Sequence, residues 1–175
     1  GKDKVAVCGY HGWHDWYLSA NLGDDANLAG HLLPGLEPNG VPGNLKGTVF
    51  PFNYNNYAEL EALVDRHDIG VINMGPEDDF LLKVRQLATD RGIVLIFDEC
   101  TSGFRQTFGG LHKMYGVEPD MAMFGKALGN GYAITATIGR REIMEAAQST
   151  FISSTFWTER IGPTAALKTL EVMER

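Results

Sequence analysis

This sequence predicts an α/β fold with a mostly parallel sheet flanked by helices, on three observations. Short apolar runs without polar alternation, Ile93-Val94-Leu95-Ile96-Phe97 and Met121-Ala122-Met123-Phe124 among them, suit strands covered on both faces. Segments with helical apolar spacing fall between such runs, so strand and helix alternate. The joints are short and carry glycine or proline, as at Gly75-Pro76 and Gly92.

Taken in order, Val5-Ala6-Val7-Cys8 is a short buried strand broken at once by Gly9-Tyr10-His11-Gly12. Trp13-His14-Asp15-Trp16-Tyr17 has helical or turn character. An aromatic at a strand's carboxyl end, framed by glycines, can stack on a flat ring because the glycines let the backbone come close. The alternative is a packing cluster of Tyr10, Trp13, Trp16 and Tyr17. Residues 21–44 are rich in glycine and proline and predict an irregular loop, functional or mobile. His31, within it, reads as a solvated histidine without a role. Thr48-Val49-Phe50 is a weak strand, residues 53–56 turn the chain, and Leu60, Leu63 and Val64 mark a helix through His67. Val71-Ile72-Asn73-Met74 is the next strand. Phe80, Leu81, Val84, Leu87 and Ala88 give the next helix, with Asp78 and Asp79 at its favourable N-terminal end, and Gly92 stops it. Beyond the two apolar runs, 133–138 predicts a strand, 141–147 a short helix, and a long helix starts at Ile161. Ser153-Ser154-Thr155-Phe156-Trp157-Thr158 precedes that helix as an anion site or as plain capping by Thr158.

Composition narrows the function. A chain of 175 residues is long enough for a sizeable core, and one domain is expected. Fifteen basic against 22 acidic residues, a net charge of −7, argue against a nucleic-acid or anionic-membrane surface. No apolar run approaches the ~20 residues of a membrane span. Two cysteines, Cys8 and Cys100, make no disulfide framework and suit a reducing cytosol. Histidine and cysteine spacings match no metal site, Gly125-Lys126 lacks the context of a phosphate-binding P-loop, and no Gly-x-Ser-x-Gly elbow occurs.

The chemistry concentrates between Ile93 and Gly131. One strand ends on Asp98-Glu99 and the other on Gly125-Lys126, and ligands of open parallel sheets gather at strand carboxyl ends. A lysine hemmed by Phe124, Gly125 and Ala127 is expected to be buried, which lowers its pKa and leaves a neutral amine. Such an amine attacks aldehydes and forms a Schiff base. Pyridoxal phosphate needs that lysine, and a carboxylate that keeps its ring nitrogen protonated. Separately, Asp98 reads as a turn cap and Lys126 as a solvated loop lysine. The pairing, with its glycines and two apolar strands, favours the cofactor.

Leu95-Ile96-Phe97-Asp98-Glu99-Cys100-Thr101-Ser102-Gly103-Phe104-Arg105, followed by Asp120-Met121-Ala122-Met123-Phe124-Gly125-Lys126-Ala127-Leu128-Gly129-Asn130-Gly131, resembles the class III aminotransferases. The nearest branch is the glutamate-1-semialdehyde aminomutase-like group. The resemblance implies a fold type I transferase large domain that binds pyridoxal 5'-phosphate. Lys126 then holds the cofactor and shuttles the substrate proton, and Asp98 pairs with the ring nitrogen. Tyr10, with His11 beside it, and Cys100 cover the two ring faces. Thr101 reaches the ring hydroxyl, and Thr155 the phosphate of a neighbouring subunit's cofactor in a homodimer. Cys100 departs from the family's usual Val, Ile or Ala, but a cysteine is small and apolar enough to pack there. Gly75-Pro76-Glu77 departs from the family's Glu-Pro at that strand end, so no role passes to Glu77.

The implied reaction moves an amino group between an amine donor and a carbonyl acceptor in the cytoplasm. The alternatives are the intramolecular 2,1-aminomutase on glutamate 1-semialdehyde and a non-catalytic α/β scaffold. Residues 1–175 are expected to be the central part of the large domain, without the family's N-terminal phosphate loop or its small C-terminal domain.

Overall fold

A computed structural model describes residues 1–32, 34–76 and 80–175. The expectations for Glu77, Asp78 and Asp79 lie outside these residues. The chain forms two compact units, Gly1–Leu95 and Ile96–Arg175, so the boundary falls inside one strand.

In the first unit β1 (Lys4–Cys8) lies between β2 (Val49–Pro51) and β3 (Ile69–Met74), and both pairings are parallel. Parallel neighbours require crossovers, which here are the long segment after β1 and helix α2 (Tyr57–Arg66) after β2. Short helix α1 (Asp15–Leu18) follows β1 and drives Tyr17, fully buried, against Val7, Ala20, Leu28 and Val49. The glycine-rich loop is irregular, as expected, but internally bonded. Asn21 accepts from the Leu28 amide at 3.0 Å and donates to the Leu36 carbonyl at 2.8 Å, while Asn27 donates to the Ala20 carbonyl. Helix α2 starts at Asn56, whose side chain accepts from the Glu59 amide. Helix α3 (Phe80–Asp90) buries Phe80, Leu81, Val84, Leu87 and Ala88, the five positions its periodicity marked. Gly92 ends it at φ +61°, a left-handed conformation that glycine adopts without cost.

The boundary strand is β4 (Val94–Asp98). In the second unit its residues Ile96, Phe97 and Asp98 pair in parallel with Met121, Ala122 and Met123 of β5 (Met121–Phe124). Between them lie a turn-rich segment and α4 (His112–Tyr115). Strand β6 (Ala136–Gly139) pairs antiparallel with β5. It begins later than the expected 133–138, because a tight turn occupies 129–132. There the Tyr132 carbonyl oxygen leaves no room for a β-carbon on Gly129. Arg140 closes the far end of the β5–β6 pair, binding Asp120 by its amide and, at 3.0 Å, by its guanidinium. Helices α5 (Arg141–Met144) and α6 (Ile161–Met173) follow, and Ala166 of α6 packs with Ala122, Phe124 and Leu128. Among the described residues no helix is long and apolar enough to cross a membrane.

Candidate active site

In the second unit, Asp98 ends β4 opposite Met123, three residues before Lys126, so both side chains leave the carboxyl ends of adjacent parallel strands. The Asp98 carboxylate accepts from the Cys100 amide at 3.0 Å, the turn cap its position allows. Burial, then the Asp98 carboxylate, push the Cys100 thiol up to about 11, against the opposing pull of the Lys126 cation. The sulfur thus lies within electrostatic reach of both groups and stays a neutral thiol. It would also touch a β-carbon placed on buried Gly125, at 3.4 Å.

Lys126 is not buried, contrary to expectation. Its apolar neighbours face the core, whereas its own side chain is exposed and its Nζ donates to the Thr101 hydroxyl at 2.6 Å. Its backbone is unusual instead. At φ +43° it occupies the left-handed region, which a side chain such as lysine rarely adopts, at the head of a short 3-10 turn, Lys126–Leu128. Strain of this kind costs about 1–3 kcal/mol and gathers at functional sites.

Thr155 is exposed, within the turn 155–158 ahead of α6. The capping expected of Thr158 falls to Glu159, whose carboxylate accepts from the Ile161 amide at 2.6 Å and the Gly162 amide at 2.8 Å. A carboxylate two residues from the first helical amides reaches them better than a hydroxyl further back, and its charge suits the helix N-terminus.

In the first unit, Tyr10 follows β1 between two left-handed glycines, Gly9 (φ +96°) and Gly12 (φ +104°). Its ring is 44% exposed and meets Trp13 at 5.7 Å and Tyr17 edge-on at 6.3 Å. The aromatic packing cluster is formed: Tyr17 is its buried base and Tyr10 its exposed member. His11 is tied to the Cys8 carbonyl through Nε2 at 2.9 Å.

The class-III aminotransferase family model matches residues 68–175, more than half of the chain. The chain belongs to the class III aminotransferases. It is 37% identical over 190 residues to the 3-aminobutyryl-CoA aminotransferase of Cloacimonas acidaminovorans, all of this chain against 42% of that protein. It is 36% identical over 190 residues to the glutamate-1-semialdehyde 2,1-aminomutase of Sulfolobus acidocaldarius, all of this chain against 44% of that one. The chain thus spans less than half the length of these relatives. A solved PLP internal aldimine form of the FumI protein of Sphingopyxis sp. MTA144 matches 98% of this chain and 42% of its own, with a TM-score of 0.79 and 25% identity. An omega-transaminase from Sphaerobacter thermophilus matches 98% of this chain and 44% of its own, with a TM-score of 0.79 and 24% identity. The mostly parallel α/β fold is the one these transferases share.

Three residues escaped the sequence reading. Glu99 is fully buried and collects the Ser102 hydroxyl at 2.5 Å, the Leu111 and His112 amides at 3.0 Å each, and His112 Nδ1 at 2.7 Å. Burial alone would raise its pKa, but the His112 side chain, the Ser102 hydroxyl and the two amides outweigh that and hold it below the usual carboxylate range. Successive strand residues face opposite ways, so Asp98 and Glu99 cannot share a role, and one carboxylate must point inward. That was the available signal for Glu99 and its partner His112. His31, read as solvated, is half-buried, and its Nδ1 accepts from the Gly9 amide at 2.9 Å. Nothing in its sequence neighbourhood marks a bond to a residue 22 positions away.

Proposed function

We propose that the protein carrying this chain is a pyridoxal 5'-phosphate-dependent aminotransferase that moves an amino group between an amine donor and a carbonyl acceptor. The observation that carries this reading is the pair Asp98 and Lys126 at adjacent strand ends, with a neutral thiol sensing both and a strained backbone at the lysine.

The chemistry of these groups fits the cofactor. A primary amine, a carboxylate and a small uncharged sulfur are the set that an aldehyde-bearing pyridinium ring requires. When bound, the cofactor supplies an electron-withdrawing ring that stabilises negative charge at the substrate carbon bearing the amine. Lys126 would hold it through Nζ, and the same amine would move the proton to and from that carbon. The Thr101 hydroxyl accepts from Nζ at 2.6 Å, which orients the amine, and would reach the ring hydroxyl in turn. Asp98 holds a proton on the ring nitrogen, and its bond to the Cys100 amide fixes its direction. Cys100 would offer one ring face a neutral contact, and Tyr10, with His11 beside it in sequence, is assigned to the other face. Thr155 is assigned to phosphate binding across a homodimer interface. We place the enzyme in the cytoplasm, in keeping with Cys8 and Cys100 forming no disulfide.

A second reading, the intramolecular aminomutase, is favoured by the likeness to the Sulfolobus acidocaldarius enzyme. The two reactions would use the same residues named here. Borohydride reduction of the cofactor-loaded protein, followed by peptide mapping, is expected to place the pyridoxyl group on Lys126. Labelling of Lys113 or Lys168 instead would end the assignment. Product analysis with glutamate 1-semialdehyde as sole substrate then separates mutase from transferase.

A further inference from the structure

We propose that His31 is a positioning residue for Tyr10: its unprotonated Nδ1 holds the Gly9 N–H and, with the Tyr17 hydroxyl on the Gly9 carbonyl, fixes the turn that presents the tyrosine ring. The inference rests on the assignment of Tyr10 to the cofactor.

Both backbone polar groups of Gly9 are taken by side chains remote in sequence. The amide donates to His31 at 2.9 Å, and the carbonyl accepts from Tyr17 at 2.7 Å. The two successive peptide groups that meet at Gly9 are each pinned, one by His31 and the other by Tyr17, and Tyr10 is the next residue. The rest of the turn is held likewise, His11 by the Cys8 carbonyl and His14 by the His11 carbonyl, each at 2.9 Å. Those two bonds have histidine donating through Nε2, a role that survives protonation. The His31 bond has histidine accepting, which requires Nδ1 to carry no proton.

The anchor is itself anchored. The His31 amide donates to the Leu28 carbonyl at 2.9 Å, Leu28 is 1% exposed, and its amide is bound by buried Asn21. The titratable groups facing His31 come from two other elements. Burial and the His11 imidazole lower its proton affinity, while the Glu59 carboxylate at the start of α2 opposes them less strongly. A folded pKa below the unfolded value means that the bond is intact above the ordinary histidine range and is lost as pH falls below it. A proton on Nδ1 would set two N–H donors face to face, and the Gly9 clamp would open.

The experiment follows hydrogen exchange of the Gly9 amide and PLP affinity in the intact protein between about pH 8 and about pH 5. Exchange is corrected for its intrinsic pH dependence. In the wild type, Gly9 protection and PLP affinity are expected to fall together on acidification, each by about tenfold. His31→Asn places an amide oxygen where Nδ1 stood and does not titrate, so its Gly9 protection is expected to stay level across the range. His31→Leu is expected to lack that protection at every pH and to bind PLP about tenfold more weakly. Equal protection in wild type and His31→Asn at every pH overturns the proposal, and that comparison decides alone if His31→Leu does not fold. Loss of Gly9 protection with unchanged PLP affinity overturns it too. If the wild type binds no PLP while its Gly9 pattern follows expectation, the clamp stands and the cofactor assignment fails.

Discussion

At the scale of single residues the site divides into groups that act by charge and groups that act by shape. Asp98 belongs to the first kind. Asp98→Asn keeps the volume and can still accept from the Cys100 amide, so the melting temperature is expected to stay close to wild type. The amide cannot hold a proton on the ring nitrogen, and turnover is expected to drop about a hundredfold or more, read from steady-state kinetics. Cys100 belongs to the second kind. With its thiol pushed up to about 11, Cys100→Ala removes no charge near neutral pH and is expected to change turnover by less than about tenfold. Asp98 and Lys126 were legible in the sequence because apolar strands ending on a carboxylate and on Gly-Lys leave a mark in one dimension. The exposure of Lys126 was not, since it depends on which way a strained turn aims the side chain. His31 was illegible for a similar reason: its partner is an amide on another element.

At the scale of elements, the segment that carries Cys100 and Thr101 is held by Glu99 rather than by regular secondary structure. One carboxylate binds Ser102 at the near end of the turn and Leu111 and His112 at the start of α4. Glu99→Ala strands several buried donors and is expected to cost about 3 kcal/mol in chemical denaturation. The pH dependence has a definite sign. A carboxyl whose folded pKa lies below its ordinary value of 4.5 adds stability above that value and loses it as pH falls through the depressed one. Glu99→Gln is therefore expected to be less stable at neutral pH, with a shallower fall on acidification. Periodicity marked α2 and α3 with little error. It could not mark the start of β6, which the close approach of Gly129 to the Tyr132 carbonyl decides. Nor could it show Glu159 as the cap of α6, because hydroxyl and carboxyl candidates crowd the same few positions.

At the scale of the whole molecule, relatives more than twice as long frame what these 175 residues do by themselves. Orientation by several anchors is what makes such chemistry effectively intramolecular. Expressed alone, the chain is expected to bind PLP far more weakly than within a protein of its relatives' length, and to show no transamination. Parallel cofactor titrations check this, and equal affinity would show the chain to be self-sufficient. The left-handed backbone at Lys126 has a further consequence, for any attempt to harden this protein. Lys126→Gly relieves strain worth about 1 kcal/mol and gives up only an exposed hydrogen bond. It is expected to unfold at a higher temperature than the wild type while losing all activity. A screen that rewards heat resistance alone would thus select against catalysis at this one position, so thermostable variants have to be chosen with turnover under selection as well.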